Sequence, residues 1–294
     1  MSKHETGRPA TNAGQRFDEG QTEFAEMARV ILRSATKTGR LAAQSSAFCA
    51  ERCPDQWVGT VRFDTERFHY RHDDITRLGR FSYRRPVSDL SSEGPRRLLV
   101  ILESPHIDEF KSTARPTESD HANAQREARA VGPAAGATGA SIRALMAELH
   151  LSGVRKLLIA PGGEDLDLVL INAIQYQTSL GHPTHRFRDE VFHLAWTSDR
   201  IGRANFQSRI EPLWRAQSRD VIVNCCTGGE RSKTSLKRLV YDALREITDN
   251  NSMLSPLVVG CAHPSSWRRN KNNREAKVMP LPPRQNVSNG VTHV

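Results

Sequence analysis

Leu98-Leu99-Val100-Ile101-Leu102, followed at once by Glu103-Ser104-Pro105-His106, decides how the chain is read. An unbroken apolar run this short leaves no face for water, so it reads as a strand covered on both sides. Similar runs recur at Leu157-Leu158-Ile159, Leu168-Val169-Leu170-Ile171, Val221-Ile222-Val223 and Leu257-Val258-Val259. Between them lie stretches with helical spacing: 141–151 (Ile142, Leu145, Met146, Leu149), 187–196, 204–217 and 233–247 (Leu236, Leu239, Val240, Leu244). Strands alternating with helices predict an α/β fold, a three-layer α/β/α sandwich around a short, mostly parallel central sheet. Crossovers in such a sheet are right-handed and bring the strand C-termini to one edge, where ligands bind.

Outward from this region the texture changes. Residues 1–20 are polar and glycine-rich and read as a disordered lead. Residues 21–95 form an N-terminal extension. It opens with an amphipathic helix carrying Phe24, Met27, Ala28, Ile31 and Leu32, and continues as short strands and loops around Trp57, Phe63, Phe68, Tyr70, Phe81 and Tyr83. The α/β domain is expected over 96–275 and a polar tail over 276–294.

The 294 residues carry a net charge of +9 and a pI near 9.7, which favours an anionic partner such as nucleic acid. No apolar run reaches the length of a bilayer span, and no secretory leader is visible at Met1-Ser2-Lys3-His4. The five cysteines have no scaffold-like spacing. The expectation is a reduced, cytoplasmic, monomeric protein without membrane contact. Cys49 and Cys53 have no downstream pair to complete a cluster, and His182 and His185 lack a third ligand, so neither a metal nor another cofactor is expected. Gly228-Gly229-Glu230-Arg231-Ser232-Lys233-Thr234 lacks the spacing of a phosphate-binding loop, and no serine-hydrolase elbow occurs.

The residues just past each strand carry the chemistry. Glu103-Ser104-Pro105-His106 comes after the first run, Asn172 after 168–171, and Gly260-Cys261-Ala262-His263-Pro264-Ser265-Ser266-Trp267 after 257–259. A carboxylate, a carboxamide and an imidazole at one sheet edge suit a site that reads a polar ring and stabilises charge on it. In this order the three motifs resemble the uracil-DNA glycosylase superfamily. That superfamily has a first motif of the form G-Q-D-P-Y-H or G-E-A-P-G, an Asn after a central strand, and a closing H-P-S before a DNA-intercalating residue. The resemblance covers roughly 96–270.

The resemblance implies base flipping, hydrolysis of the N-glycosidic bond and an abasic product, as in DNA repair. Asn172 would bind the edge of the flipped base, and His263 would stabilise the leaving base. Glu103 would position water or steady the sugar cation, with Ser104, Pro105, His106 and Val131 around the base. Ser265 and Ser266 would grip phosphates, Trp267 would be the wedge that fills the vacated stack, and Arg268, Arg269 and Lys271 would contact the DNA backbone.

Three departures bear on substrate. Ser104 stands where one branch has its catalytic Asp; should Glu103 not be the counterpart, Asp108 and Glu109 are the nearest carboxylates. His106 replaces the Tyr that crowds C5 of the base. Small residues over 128–137 stand where a stacking Phe is expected. The expected substrate is therefore a modified pyrimidine bulkier than uracil, such as glucosylated hydroxymethylcytosine in phage DNA, which would make the role antiviral defence. Conventional uracil excision and a non-catalytic DNA-binding relative remain as alternatives.

Overall fold

The computed structural model describes residues 19–40, 48–63, 68–70, 84–91, 94–112, 128–152, 163–180, 187–213, 220–228, 235–250 and 257–279. In chain order the strands are β1 (Gln56–Phe63), β2 (Phe68–Tyr70), β3 (Arg85–Pro86), β4 (Arg96–Leu102), β5 (Phe110–Ser112), β6 (Ala128–Ala130), β7 (His150–Ser152), β8 (Glu164–Asn172), β9 (Val221–Asn224), β10 (Leu257–Gly260) and β11 (Glu275–Val278). The helices are α1 (Glu19–Lys37), α2 (Ala137–Leu145), α3 (Arg188–Trp196), α4 (Arg203–Ile210) and α5 (Leu236–Asn250).

The protein is α/β. Among the described residues a nine-stranded mixed sheet has the order β2-β1-β8-β4-β9-β10-β11-β7, with β3 also on β1, and β5 and β6 pair separately. The centre, β8-β4-β9-β10, is parallel throughout. Side chains alternate across it. Leu99, Ile101, Val169, Ile171 and Ile222 face one core, and Leu98, Val100, Leu102, Leu168, Leu170, Val221 and Val223 face the other. The first face is covered by α1, α3, α4 and α5 through Phe24, Leu32, Phe192, Trp196, Phe206, Val240 and Leu244. The second is covered by α2 and the turn after it, through Ile142, Met146 and Leu149. Burial on both faces is why these strands appear in the sequence as solid apolar runs.

The flanks depart from a purely parallel expectation. β1 pairs antiparallel to β8, and β11 antiparallel to β10. Three expected divisions also shift. The boundary at 95/96 does not separate packing units, because α1 fills the same core as β4 and β1 extends the same sheet. Residues 276–278, expected in the tail, belong to β11, and Glu19 and Gly20, expected in the lead, open α1. The helix expected over 141–151 ends at Leu145. A 3-10 turn over Met146–Glu148 and strand β7 come next, and β7 pairs with β11. The helix expected over 204–217 is described as Arg203–Ile210. The expected strand at 157–159, His182, His185 and residues 229–234 lie outside the described residues. No helix among the described residues is long and apolar enough to cross a membrane.

Candidate active site

The sheet order makes the site. β4 comes first in the chain among the parallel strands, yet it lies between β8 and β9. The chain therefore leaves in opposite directions on its two sides, and a crevice opens beyond its C-terminal end. The register sets Leu102 opposite Asn172, Ile101 opposite Asn224, and Asn224 opposite Gly260. Pairing runs on past the strand ends: Ala173 N–H donates to Leu102 O at 2.8 Å, Ile174 N–H to Glu103 O at 2.9 Å, and Cys261 N–H to Asn224 O at 3.0 Å. The residues after each strand are thus brought to one edge by backbone bonds.

A cavity of about 290 Å³ occupies this edge. Glu103, Ser104, His106, His263 and Ser265 all line it, with Arg188, Thr227, Asp108 and Glu109 completing the wall. The Glu103 carboxyl is buried. Its Oε1 accepts the Thr227 N–H at 3.1 Å, and its Oε2 lies 3.4 Å from Arg188 Nε. Burial raises its pKa, and Arg188 and the Thr227 bonds work against that rise. His263 Nδ1 lies 2.8 Å from Ser265 Oγ and accepts the Ser265 backbone N–H at 3.3 Å. Burial, with the charges of Arg188 and Lys237, pulls the imidazole down to about 4. At neutral pH the ring is therefore uncharged with Nδ1 as acceptor, which puts its proton on Nε2. Ser104 Oγ and Thr178 Oγ1 share a hydrogen bond of 2.6 Å, and His106 Nδ1 accepts from the Asp108 N–H and lies 3.3 Å from Asp108 Oδ2.

Asn172 does not line this cavity. It is fully buried beside Glu109, and its Nδ2 donates to Cys53 Sγ at 3.7 Å. Arg209 on α4 fixes the backbone there, donating to the carbonyls of Asn172 and Ala173 at 3.0 Å each while paired with buried Asp55. The N-terminal segment is tied to the loop after β8: Cys53 N–H donates to Gln175 O, and Cys49 N–H to Gln177 Oε1.

Pro105 is buried and apart from the cavity lining. Val131 lines a second, larger cavity of about 600 Å³ with Arg84, Ile107, Lys111, Ala135 and Ala140. The two cavities share Asp108, Gly136 and Ala137. Ser265 is exposed, but the Ser266 hydroxyl donates to His263 O at 2.7 Å.

Trp267 is a correction. It is 1% exposed, packs in the core beneath the sheet, and donates its indole N–H to Ala262 O at 2.8 Å. The 3-10 turn over Pro264–Ser266 rotates the side chain inward, so the surface after the turn is presented by Arg268, Arg269 and Lys271, all exposed.

Arg188 and Thr227 were not legible as site residues. Arg188 opens a helix, where a cation has no favourable dipole, and it pairs with both Glu103 and Asp189. Among the described residues no three His, Cys, Asp or Glu side chains are grouped to hold a metal. Comparisons with protein-family models, with curated proteins and with solved structures give no match to this chain.

Proposed function

We propose that the chain is a monofunctional DNA N-glycosylase of the uracil-DNA glycosylase type. It would flip a modified pyrimidine bulkier than uracil into the cavity, hydrolyse its glycosidic bond and leave an abasic site. The observation that carries this reading is that Glu103 and His263, from the ends of β4 and β10, line one cavity at the switch point of the sheet.

Each group has a matching task. A neutral imidazole with Nε2–H donates a hydrogen bond to the oxygen on which charge collects as the base departs, and it does so without first giving up a proton. Glu103, held by Thr227 and Arg188, faces the sugar side, where its carboxylate steadies the developing oxocarbenium ion or orients the attacking water. No lysine is among the described residues lining the cavity, which favours hydrolysis over a Schiff-base route. The exposed Arg268, Arg269 and Lys271, just past His263, suit phosphate contacts. The enlarged base is supported by the second cavity. Its walls at Val131, Ala135, Gly136, Ala137 and Ala140 are small, and it shares Asp108, Gly136 and Ala137 with the first, which leaves space for a C5 substituent.

The test uses two DNAs, one carrying uracil and one carrying glucosylated hydroxymethylcytosine, with abasic sites scored by alkaline cleavage. Cleavage of the second alone is expected. Selective cleavage of the uracil DNA would return the reading to ordinary repair. DNA binding without cleavage of either would favour the binding-only alternative. His263→Ala should abolish base release and leave DNA affinity within about threefold, because phosphate contacts dominate affinity. Base release that survives both His263→Ala and Asn172→Ala would overturn the site assignment.

A further inference from the structure

Among the described residues lining the cavity of about 290 Å³, Arg188 is the one lysine or arginine. Its two acidic partners address the same nitrogen. Nε donates to Asp189 Oδ1 at 2.8 Å and lies 3.4 Å from Glu103 Oε2. One N–H cannot serve both, and Glu103 Oε2 is left without a hydrogen bond. The two Nη groups, with four N–H donors, bond to nothing among the described residues. Unlike Glu103 Oε2 they are open to solvent: the Arg188 side chain is 29% exposed, against 5% for Glu103. A guanidinium is planar, and its Nη groups form a fork that matches two oxygens of one anion. A free fork in a cavity wall is a receptor for such a group. Thr138, Ser179 and Ser265 line the same cavity and bring hydroxyl donors to it.

We infer that Arg188 is the anion anchor of this site, and that the group it holds is a phosphate of the nucleotide whose base enters the cavity. The choice of phosphate rests on the glycosylase reading. There Glu103 is the carboxylate on the sugar side, Arg188 lies against Glu103, and the anion joined to a deoxyribose is its phosphate. Binding is then an exchange of partners. The Nη fork takes two phosphate oxygens, while Glu103 keeps the Thr227 N–H and loses part of the cation's compensation. A carboxylate shielded by a cation steadies an oxocarbenium ion poorly, so seating the strand readies the carboxylate. A free base or nucleoside cannot make this exchange. The surrounding acids do not cancel the fork. Glu103 and Asp189 both face Nε. Burial lifts Glu109 to about 8, so at pH 7 it is held mainly as the acid, and Asp108 is exposed, where water screens its charge. The neutral His263 adds no second cation.

The test is calorimetry on the full-length protein at pH 7, with 5-hydroxymethyl-2′-deoxycytidine and with its 3′- and 5′-monophosphates. One monophosphate should bind about tenfold tighter than the nucleoside, the gain that a charge-assisted fork carries, and the preferred ester tells which side of the sugar Arg188 faces. Arg188→Gln should lose that preference. Arg188→Lys keeps the charge without the fork and should lose most of it. Neutralising the exposed Arg268, Arg269 and Lys271 should leave it in place. Glu103→Gln removes the competing carboxylate and should tighten the monophosphate by about threefold without tightening the nucleoside, which a merely structural ion pair would not do. Should Arg188→Gln fail to fold, Glu103→Gln decides alone. Equal binding of nucleoside and monophosphates, binding of none, a preference that survives Arg188→Gln, or a Glu103→Gln variant that binds the monophosphate no tighter overturns the inference. A phosphate preference that depends on Arg188, without base release from any DNA, would remove the glycosylase reading and leave the anchor standing. Base release undiminished by Arg188→Gln would do the reverse.

Discussion

Replacing Glu109 by Gln should make the protein more stable, and by an amount that grows with pH. The Glu109 carboxyl is buried, and its pKa rises from 4.5 to about 8 on folding. A raised folded value means the native chain binds this proton more tightly than the unfolded chain. Its contribution is then fully present below about pH 4.5 and is lost as pH climbs through about 8. At about 1.4 kcal/mol per pH unit, the burden of Glu109 is near zero at pH 4, about 3 kcal/mol at pH 7, and on the order of 5 kcal/mol above pH 8. Gln has the same shape and cannot ionise, so the variant escapes this loss. Urea unfolding of both proteins at pH 4.5, 7 and 8.5 measures the difference directly. A stability gap that widens across this range is expected. A gap of constant size, or a variant less stable at pH 8.5 than the parent, would refute the argument that the carboxyl is held as an acid by burial.

Trp267→Ala should destabilise the fold by about 3–5 kcal/mol in urea, the cost of emptying a core site, whereas a surface wedge would leave stability unchanged. Asp55→Ala strands the mostly buried Arg209 and should cost about 3–5 kcal/mol; Arg209 then no longer anchors the Asn172 carbonyl, and a change under 1 kcal/mol would dismiss this support. Neutralising Arg268, Arg269 and Lys271 together should reduce the slope of log affinity for duplex DNA against log salt by about 3 and leave the melting temperature in place; an unaltered slope would remove these cations from the DNA interface.

The parallel centre was legible because strands covered on both faces carry no polar residues, as in 98–102 and 221–223. Their true ends were not. Arg97 is buried within β4, its N–H on the Asp220 carboxylate, and Asp167 is buried within β8 under the Trp57 indole. Such paired charges read as loop in a sequence. β1 was expected only as part of short strands and loops around Trp57 and Phe63, not as one eight-residue strand, because Gly59, at φ 138°, marks a register shift against β8 that breaks its alternation. β11, Glu275-Ala276-Lys277-Val278, buries only Ala276 and so has no apolar signature. At the site, the strand ends correctly gathered Glu103 and His263 around one cavity, because a residue just past a parallel strand has few places to go. Whether a side chain there faces the cavity or the layer beneath is a matter of one residue of pleat and of the turn after it. That is why Asn172 lies behind Glu109 and Trp267 turns inward.

The site's parts come from distant points on the chain: Cys53, Arg84, Glu103, Glu109, Asn172, Arg188 and His263. During synthesis, the imidazole of His263 leaves the ribosome long after Glu103, since it lies far later in the sequence. Every shorter nascent chain has a first carboxylate without its partner across the cavity. An unfinished or prematurely terminated chain is thus unable to perform chemistry that needs both. If the product is damage to DNA as proposed, the order in which the sequence is read out would act as a safeguard.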